Sequence, residues 1–429
     1  MNGDNAARTD LLQRSFDRKA FLLGALAVSG FVLLEAGGSE AMPPNFVDPE
    51  GTVEAGFLKR SYSPGNRAEL VIAHPADRIH LQVMQAGLEA HRARKGMSGV
   101  PVSLPKTIDW PGGRGILHLD IAPEWQNALH FVQLQASRGS IGFAPFIVKP
   151  NELGKKRALV VHPTNTWGAY NLRDGSTWYA NVDVHHVDLT RPFLGGPPPH
   201  YRDYDRGFMR WFAHSGHMAE ADVMSDDDLE AMPSGDQLRR LYDLILFSGH
   251  EEYVTTQTFD NVERFQKLGG NLIFLSANNF FYKIEKQGEN VMHGRWRWRD
   301  LGRPEARMIG SQYLNWYQGI YKNKPMTVTG VEHAPWLFEG TGFRNGSSFG
   351  TYGIEIDHVV PGVSPPGVKV LAEIPHIFGP SQTAQMTHYV APNGAEVFDA
   401  GVLNFSGTSD RPGVSQMLEN LWHRLGPKS

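Results

Sequence analysis

The segment from Tyr242 to Tyr282, YDLILFSGHEEYVTTQTFDNVERFQKLGGNLIFLSANNFFY, constrains the fold more than any other part of the chain. Two apolar runs, LILFSG (244–249) and NLIFLS (271–276), flank a stretch with helical spacing that closes on Gly269-Gly270. That order predicts a strand, a crossover helix and a parallel strand. Polar residues cluster just beyond each strand: His250, Glu251 and Glu252 after the first, Asn278 and Asn279 after the second. Open parallel sheets bind ligands beyond the carboxyl ends of their strands. His250 and Glu252 are two apart, so in extended backbone they project to the same side as a candidate metal or acid–base pair. Glu251 then points the other way, to a structural or solvent-facing place. Thr255, Thr256 and Thr258 are candidate caps of the helix.

At 429 residues the chain is long enough for two or three domains, and its 41% hydrophobic and 20% charged residues suit buried cores. The net charge is −4, without the basic stripe that nucleic-acid binding would need. Cysteine is absent, which excludes disulfides, thiolate metal sites and a cysteine nucleophile. Arg14, Arg18 and Lys19 precede the apolar run AFLLGALAVSGFVLL (20–34), and Ser39-Glu40-Ala41 fits a signal-peptidase site. Residues 1–41 therefore read as an export signal to the periplasm. SFDRKAFLLGALA is similar to a twin-arginine signal with Arg18-Lys19 in place of the pair. The alternatives are a general secretory signal or an uncleaved membrane anchor; after processing no membrane span is expected.

Residues 46–150 alternate with a short period through AELVIAH (68–74), RIHLQVMQAG (78–87), GILHLDI (115–121), ALHFVQLQA (128–136) and FAPFIVKP (143–150). Such spacing predicts a β-sandwich. From ALVVHP (158–163) strands alternate with helical stretches such as FMRWFAHSGH (208–217), ending in VSQMLENLWHRLG (414–426). That pattern predicts a doubly wound α/β domain over 155–429. Residues 282–366, rich in Trp, Gly and Asn, read as a loop-rich insertion over the active face. His185-His186 with Asp188 read as structural, because neighbours on a strand face opposite ways. His162, before Pro163, either lines the crevice or simply ends its strand, and the structural reading is preferred.

Three further patches recur in a fixed order: HPTNTWGAYNLRDGSTWY (162–179), RPF (191–193) and FEGTGFRNGSSFGTYGIEID (338–357) with its late acids Glu355 and Asp357. Together with GHEEY, the GGNLIFLSANNFFY stretch, VFDAGVLNFSG (397–407) and the SYSPGNRAEL and PFIVKP pieces, they resemble the large-subunit family of N,N-dimethylformamidase. The resemblance spans about residues 55 to 426. It implies an α/β domain similar to class I glutamine amidotransferases, and amide hydrolysis through one iron held by two tyrosines and a glutamate. Residue by residue, it places the glutamate on Glu252, one tyrosine on Tyr170 and the other ligand on His130. With His130 in that place, Zn²⁺ or another divalent ion becomes an alternative to iron. It also implies that His250 handles the proton and Asn278 the oxyanion. A small amide is the implied substrate, with a homo-oligomer or small partner subunit as partner. The competing readings are an exported, non-catalytic binder of carbohydrate or another ligand using Trp296, Trp298, Trp316 and Trp336, and, by fold analogy alone, a carbohydrate-modifying hydrolase.

Overall fold

The computed structural model describes residues 52–89, 96–179, 184–317 and 323–427. The expected export signal lies outside the described residues. No helix among them is long and apolar enough to cross a membrane.

Strands between Glu54 and Val148 form two sheets. Glu54–Phe57, Arg67–His74 and Gly113–Asp120 make one; Ala128–Ala136 sits in the other between Asp77–Ala86 and Ile141–Val148. Their facing side chains share one core, with Leu70 and Ile72 of the first sheet packed with Val132, Leu134 and Phe146 of the second. Alternation gives the strand Ala128–Ala136 two buried faces. Val132 and Leu134 enter the sandwich core, while Leu129 and Phe131 pack with Phe208 and Met209 of the following module. Asn127 fastens the two modules: its Nδ2 donates to the carbonyls of Val148 (2.6 Å) and Val223 (3.0 Å), and its Oδ1 accepts from the Val223 N–H.

A nine-stranded sheet dominates the rest. Five strands are parallel, in the spatial order Ala221–Ser225, Ala158–His162, Leu244–Phe247, Asn271–Phe274 and Glu396–Asp399. Antiparallel strands continue it from Ala384–Val390. Leu244–Phe247 and Asn271–Phe274 are the expected parallel pair, joined by the helix Thr256–Lys267, whose cap is Thr255 accepting from the Thr258 N–H. Successive strand residues feed opposite faces. Val161, Phe247 and Phe274 meet Phe259, Val262 and Phe265 of that helix on one side. Val160, Leu246 and Ile273 meet Phe208, Phe212 and Trp422 on the other.

The segment 282–366 is not an insertion of loops. Lys324–Val328 and Ser348–Tyr352 extend the nine-stranded sheet, and Tyr282–Gln287 pairs with Val291–Arg297. These strands are short and their pairings are broken by register shifts, which erases the alternation a sequence reading needs. The four tryptophans form no exposed platform: Trp296 is exposed and Trp336 half-buried, whereas Trp298 and Trp316 are buried.

Gly207, in the helix Arg206–His214, lies against the turn Ser406–Thr408, where an added Cβ would stand 2.3 Å from the Gly407 carbonyl oxygen. Backbone on both sides leaves nothing flexible to yield. Gly207→Ala is therefore expected to cost about 1–3 kcal/mol, seen as a lowered midpoint in urea unfolding with an unchanged slope.

Candidate active site

The strand order reverses between Ala158–His162 and Leu244–Phe247, and the site stands at the carboxyl ends of these two strands. After the first, the helix Thr164–Tyr170 starts at once, with every residue buried. Its cap comes from elsewhere: the Asp226 carboxylate accepts from the Asn165 N–H (2.6 Å) and from the Thr164 hydroxyl (3.2 Å). The helix places Tyr170 at its last position. After the second strand, the chain is fixed by backbone bonds. The Glu252 N–H donates to Thr166 Oγ1 (3.0 Å), and the Glu251 and Glu252 carbonyls accept from the N–H groups of Phe280 and Tyr282.

Tyr170, His250, Glu252 and Asn278 lie close together. His250 Nε2 lies 3.5 Å from Glu252 Oε2 and 3.4 Å from Glu355 Oε2. The Tyr170 ring meets His250 edge-on at 5.5 Å, and its hydroxyl hydrogen-bonds both Glu252 and Glu355. Asn278 takes a left-handed backbone (φ 58°), which asparagine tolerates. Its N–H donates to Asp357 Oδ1 (2.9 Å) and its Nδ2 to Glu355 Oε2 (2.8 Å), leaving one side-chain N–H unspent.

Two further residues belong here without having been assigned a role from sequence. Tyr179 stacks on Tyr170 with ring centroids 4.1 Å apart and donates to Glu252 Oε2 at 3.0 Å. Glu355, on the strand Glu355–His358, supplies a second carboxyl. The sequence signals were faint: a tyrosine nine residues beyond Tyr170, and two acids closing a glycine-rich stretch.

His130 does not join the others. Its register places it on the sandwich face, with its ring 6.0 Å from Trp125 and 5.7 Å from Phe146 and its Nδ1 at the Ala128 carbonyl. Strand parity is the reason: residues 129 and 131 look toward the second module and 130 looks away. Glu251 points away from Glu252 as expected, but into the interior. It is fully buried, and burial and the neighbouring Asp226 charge raise its carboxyl well above the carboxylate range. His162 is structural, with Nδ1 2.8 Å from Ser248 Oγ.

Burial governs the ionisation. It pushes the Glu252 carboxyl up to about 7, against hydrogen bonds from Tyr170 and Tyr179 that lower it. Glu355 is raised well above the carboxylate range by burial and by the charge of Glu252. His250 is lowered to about 3 by burial, so its imidazole is neutral. Its Nε2 and the Asn278 Oδ1 are buried without a hydrogen bond. The cleft in front holds about 540 Å³ of open space between these groups and Tyr282, Arg295, Tyr313 and Trp316. Behind His250 lies a smaller recess where burial raises Asp205 to about 8.

Among the described residues, no group of three or more His, Asp and Glu side chains is arranged to hold a metal ion. The donor set here is of another kind: two phenols, Tyr170 and Tyr179, with the Glu252 carboxylate. Hard oxygen donors beside an unpartnered imidazole nitrogen fit a hard cation.

A family profile described as N,N-dimethylformamidase beta subunit-like, C-terminal, matches residues 92–415. The chain belongs to that family. The N,N-dimethylformamidase beta subunit of Alcaligenes sp. is 29% identical over 125 residues, covering 27% of this chain and 16% of that subunit. The match thus spans well under two thirds of the relative's length. Among solved structures, a superoxide reductase (neelaredoxin) from Ignicoccus hospitalis is 10% identical over 23% of this chain and 79% of its own, with a TM-score of 0.15. A cycloisomaltooligosaccharide glucanotransferase from Paenibacillus sp. is 9% identical over 82% of this chain and 69% of its own, at 0.19. Neither score carries an argument.

The location of His130 has a measurable consequence. Burial holds its folded pKa near 4, below the ordinary 6.5. The unfolded chain takes the proton first, so stability falls as pH drops from 6.5 toward 4. His130→Phe is expected to keep stability at pH 7.5 within about 1.5 kcal/mol and to make the acid-side loss in thermal melts shallower. Any metal the wild type binds should be retained, and its loss in this variant would return His130 to the ligand set.

Proposed function

We propose that the chain is a metal-dependent hydrolase of a small, non-peptide amide. The reading rests on its dimethylformamidase-like family and on one observation, the convergence of Tyr170, Tyr179 and Glu252 at the carboxyl ends of two parallel strands. The parallel strands run 2-1-3-4-5 with helices on both faces, an order that supports the doubly wound, amidotransferase-like reading of this half.

In this proposal Tyr170, Tyr179 and Glu252 would hold the ion, with iron first by family and zinc or another divalent ion as the alternative. A bound metal would supply a Lewis acid to a carbonyl that is otherwise a poor electrophile. His250, held neutral by burial, presents an unoccupied Nε2 that takes the proton of the attacking water and returns it to the leaving amine. Asn278 turns its remaining amide N–H toward the developing oxyanion. Glu355 fixes Asn278 and touches Tyr170, so it positions both. Export to the periplasm and a small partner subunit belong to the same proposal. The carbohydrate-binding alternative loses its main support with the burial of Trp298 and Trp316.

Elemental analysis of the purified protein should find about one metal per chain, and affinity should rise with pH up to about 7 as Glu252 loses its proton. Glu252→Ala and Tyr179→Phe should lower affinity by more than the ~10–100-fold that losing an outer partner costs, with amide hydrolysis lost in step. His250→Gln should keep metal while hydrolysis falls by about 10²–10⁴. Wild-type protein free of metal affinity would sink the proposal.

A further inference from the structure

The cleft in front of Glu252 has a cationic wall. Arg295, on the strand Val291–Arg297, lines it. Its guanidinium carbon stands 5.3 Å from the Trp178 ring centre and 5.6 Å from that of Tyr282. These two rings hold it in position before any ligand arrives. Other cations nearby are spent. Arg297 pairs with Asp300 (2.6 Å), Arg299 with Glu305, and Lys283 with Glu285 (3.1 Å). Among the described residues, Arg295 has ring contacts and feels the charge of Glu252, but forms no ion pair and no hydrogen bond.

A guanidinium carries five N–H donors in a fork that matches a carboxylate. Leaving those donors unspent in a half-buried cleft costs free energy unless something uses them. The rest of this wall is aromatic, from Phe281, Tyr282, Tyr313 and Trp316, with no second basic group lining the cleft. One planar cation in an aromatic setting suits a monoanion better than a phosphate dianion, which would call for more positive charge.

We propose that Arg295 is the anion anchor of this cleft, so that the amide it takes is a small carboxylated one, of the N-formyl or N-acyl amino acid class. The inference rests on reading the cleft as the amide site and narrows that reading to a substrate class. The carboxylate docks on Arg295 and the acyl group faces Glu252, His250 and Asn278. Water adds to the acyl carbon, the C–N bond breaks, and the nitrogen leaves with the proton. The products are a free amino acid and the acid of the acyl group.

The test is calorimetric binding and turnover of N-formylglycine against N-ethylformamide, its neutral counterpart, on full-length wild type, Arg295→Met and Arg295→Gln. Wild type should bind N-formylglycine at least ~10-fold more tightly, a gap of about 1.4 kcal/mol. Both variants should lose the gap while N-ethylformamide binding stays the same. Two neutral replacements guard against one failing to fold, which near-ultraviolet dichroism would reveal. Equal binding of both compounds by wild type overturns the inference. So does a parallel loss of both in the variants, which would make Arg295 a partner of Glu252 instead. Preferential binding without turnover would leave the anchor standing and remove the hydrolase reading.

Discussion

One buried hydrogen bond, from the Glu252 N–H to Thr166 Oγ1, holds together the two pieces from which the site is built. On one side is the helix that ends in Tyr170; on the other is the turn that carries His250 and Glu252. A second bond in the same sense runs from Asn165 Nδ2 to the Tyr253 carbonyl. Both lie out of water, where a lost partner leaves a polar group stranded at about 1–3 kcal/mol. Asp226 reinforces the joint by capping the helix with one oxygen, and its charge acts on Glu251, the residue between His250 and Glu252. The placement of a phenol against a carboxylate is thus a consequence of backbone bonds on both sides.

That joint concentrates acid. Glu252 and Glu355 line one cleft, Asp357 holds the Asn278 N–H beside it, and the charge of Asp357 acts in turn on Asp399. Burial pushes each of them up, and the nearest counter-charges, Arg295, Arg299 and Lys286, sit at the margins. Carboxyls so arranged cannot all ionise together in a low dielectric. Phenols, the Asn278 amide and backbone N–H groups share the load by hydrogen bonding, which keeps the acids in fixed places without neutralising them. His250 remains a neutral acceptor within this group because burial outweighs the two nearby carboxyls.

The parts of this arrangement visible in sequence were those written in local periodicity. LILF and NLIF are wholly buried or nearly so, and the helix between them has its apolar stripe at helical spacing, so strand, helix and strand could be read directly. Strand ends then placed His250, Glu252 and Asn278. Tyr179 was hidden because the chain doubles back through a turn with Asp174 in the left-handed region, a reversal no spacing rule conveys. Glu355 reaches Asn278 across 77 residues, through short strands whose bulges hide their alternation. His130 failed for the opposite reason. The strand Ala128–Ala136 is buried on both faces, so burial does not say which face meets the site, and a difference of one residue decides it.

Two kinds of group line the cleft and divide the work of recognition. A carboxylate and two phenols ask for a cation or an electrophilic carbon, and a guanidinium asks for an anion. Aromatic rings beside them offer surface without hydrogen-bond direction. A ligand that sets an anion on Arg295 and its electrophilic carbon toward Glu252 is favoured over the reverse, which would set anion against Glu252. Orientation of that kind lowers the entropy left to lose at the reacting bond, which is where a rigid site gains most. The rigidity comes from the backbone bonds at the helix–turn joint and from the two rings that flank Arg295, so polarity and precision have the same structural origin.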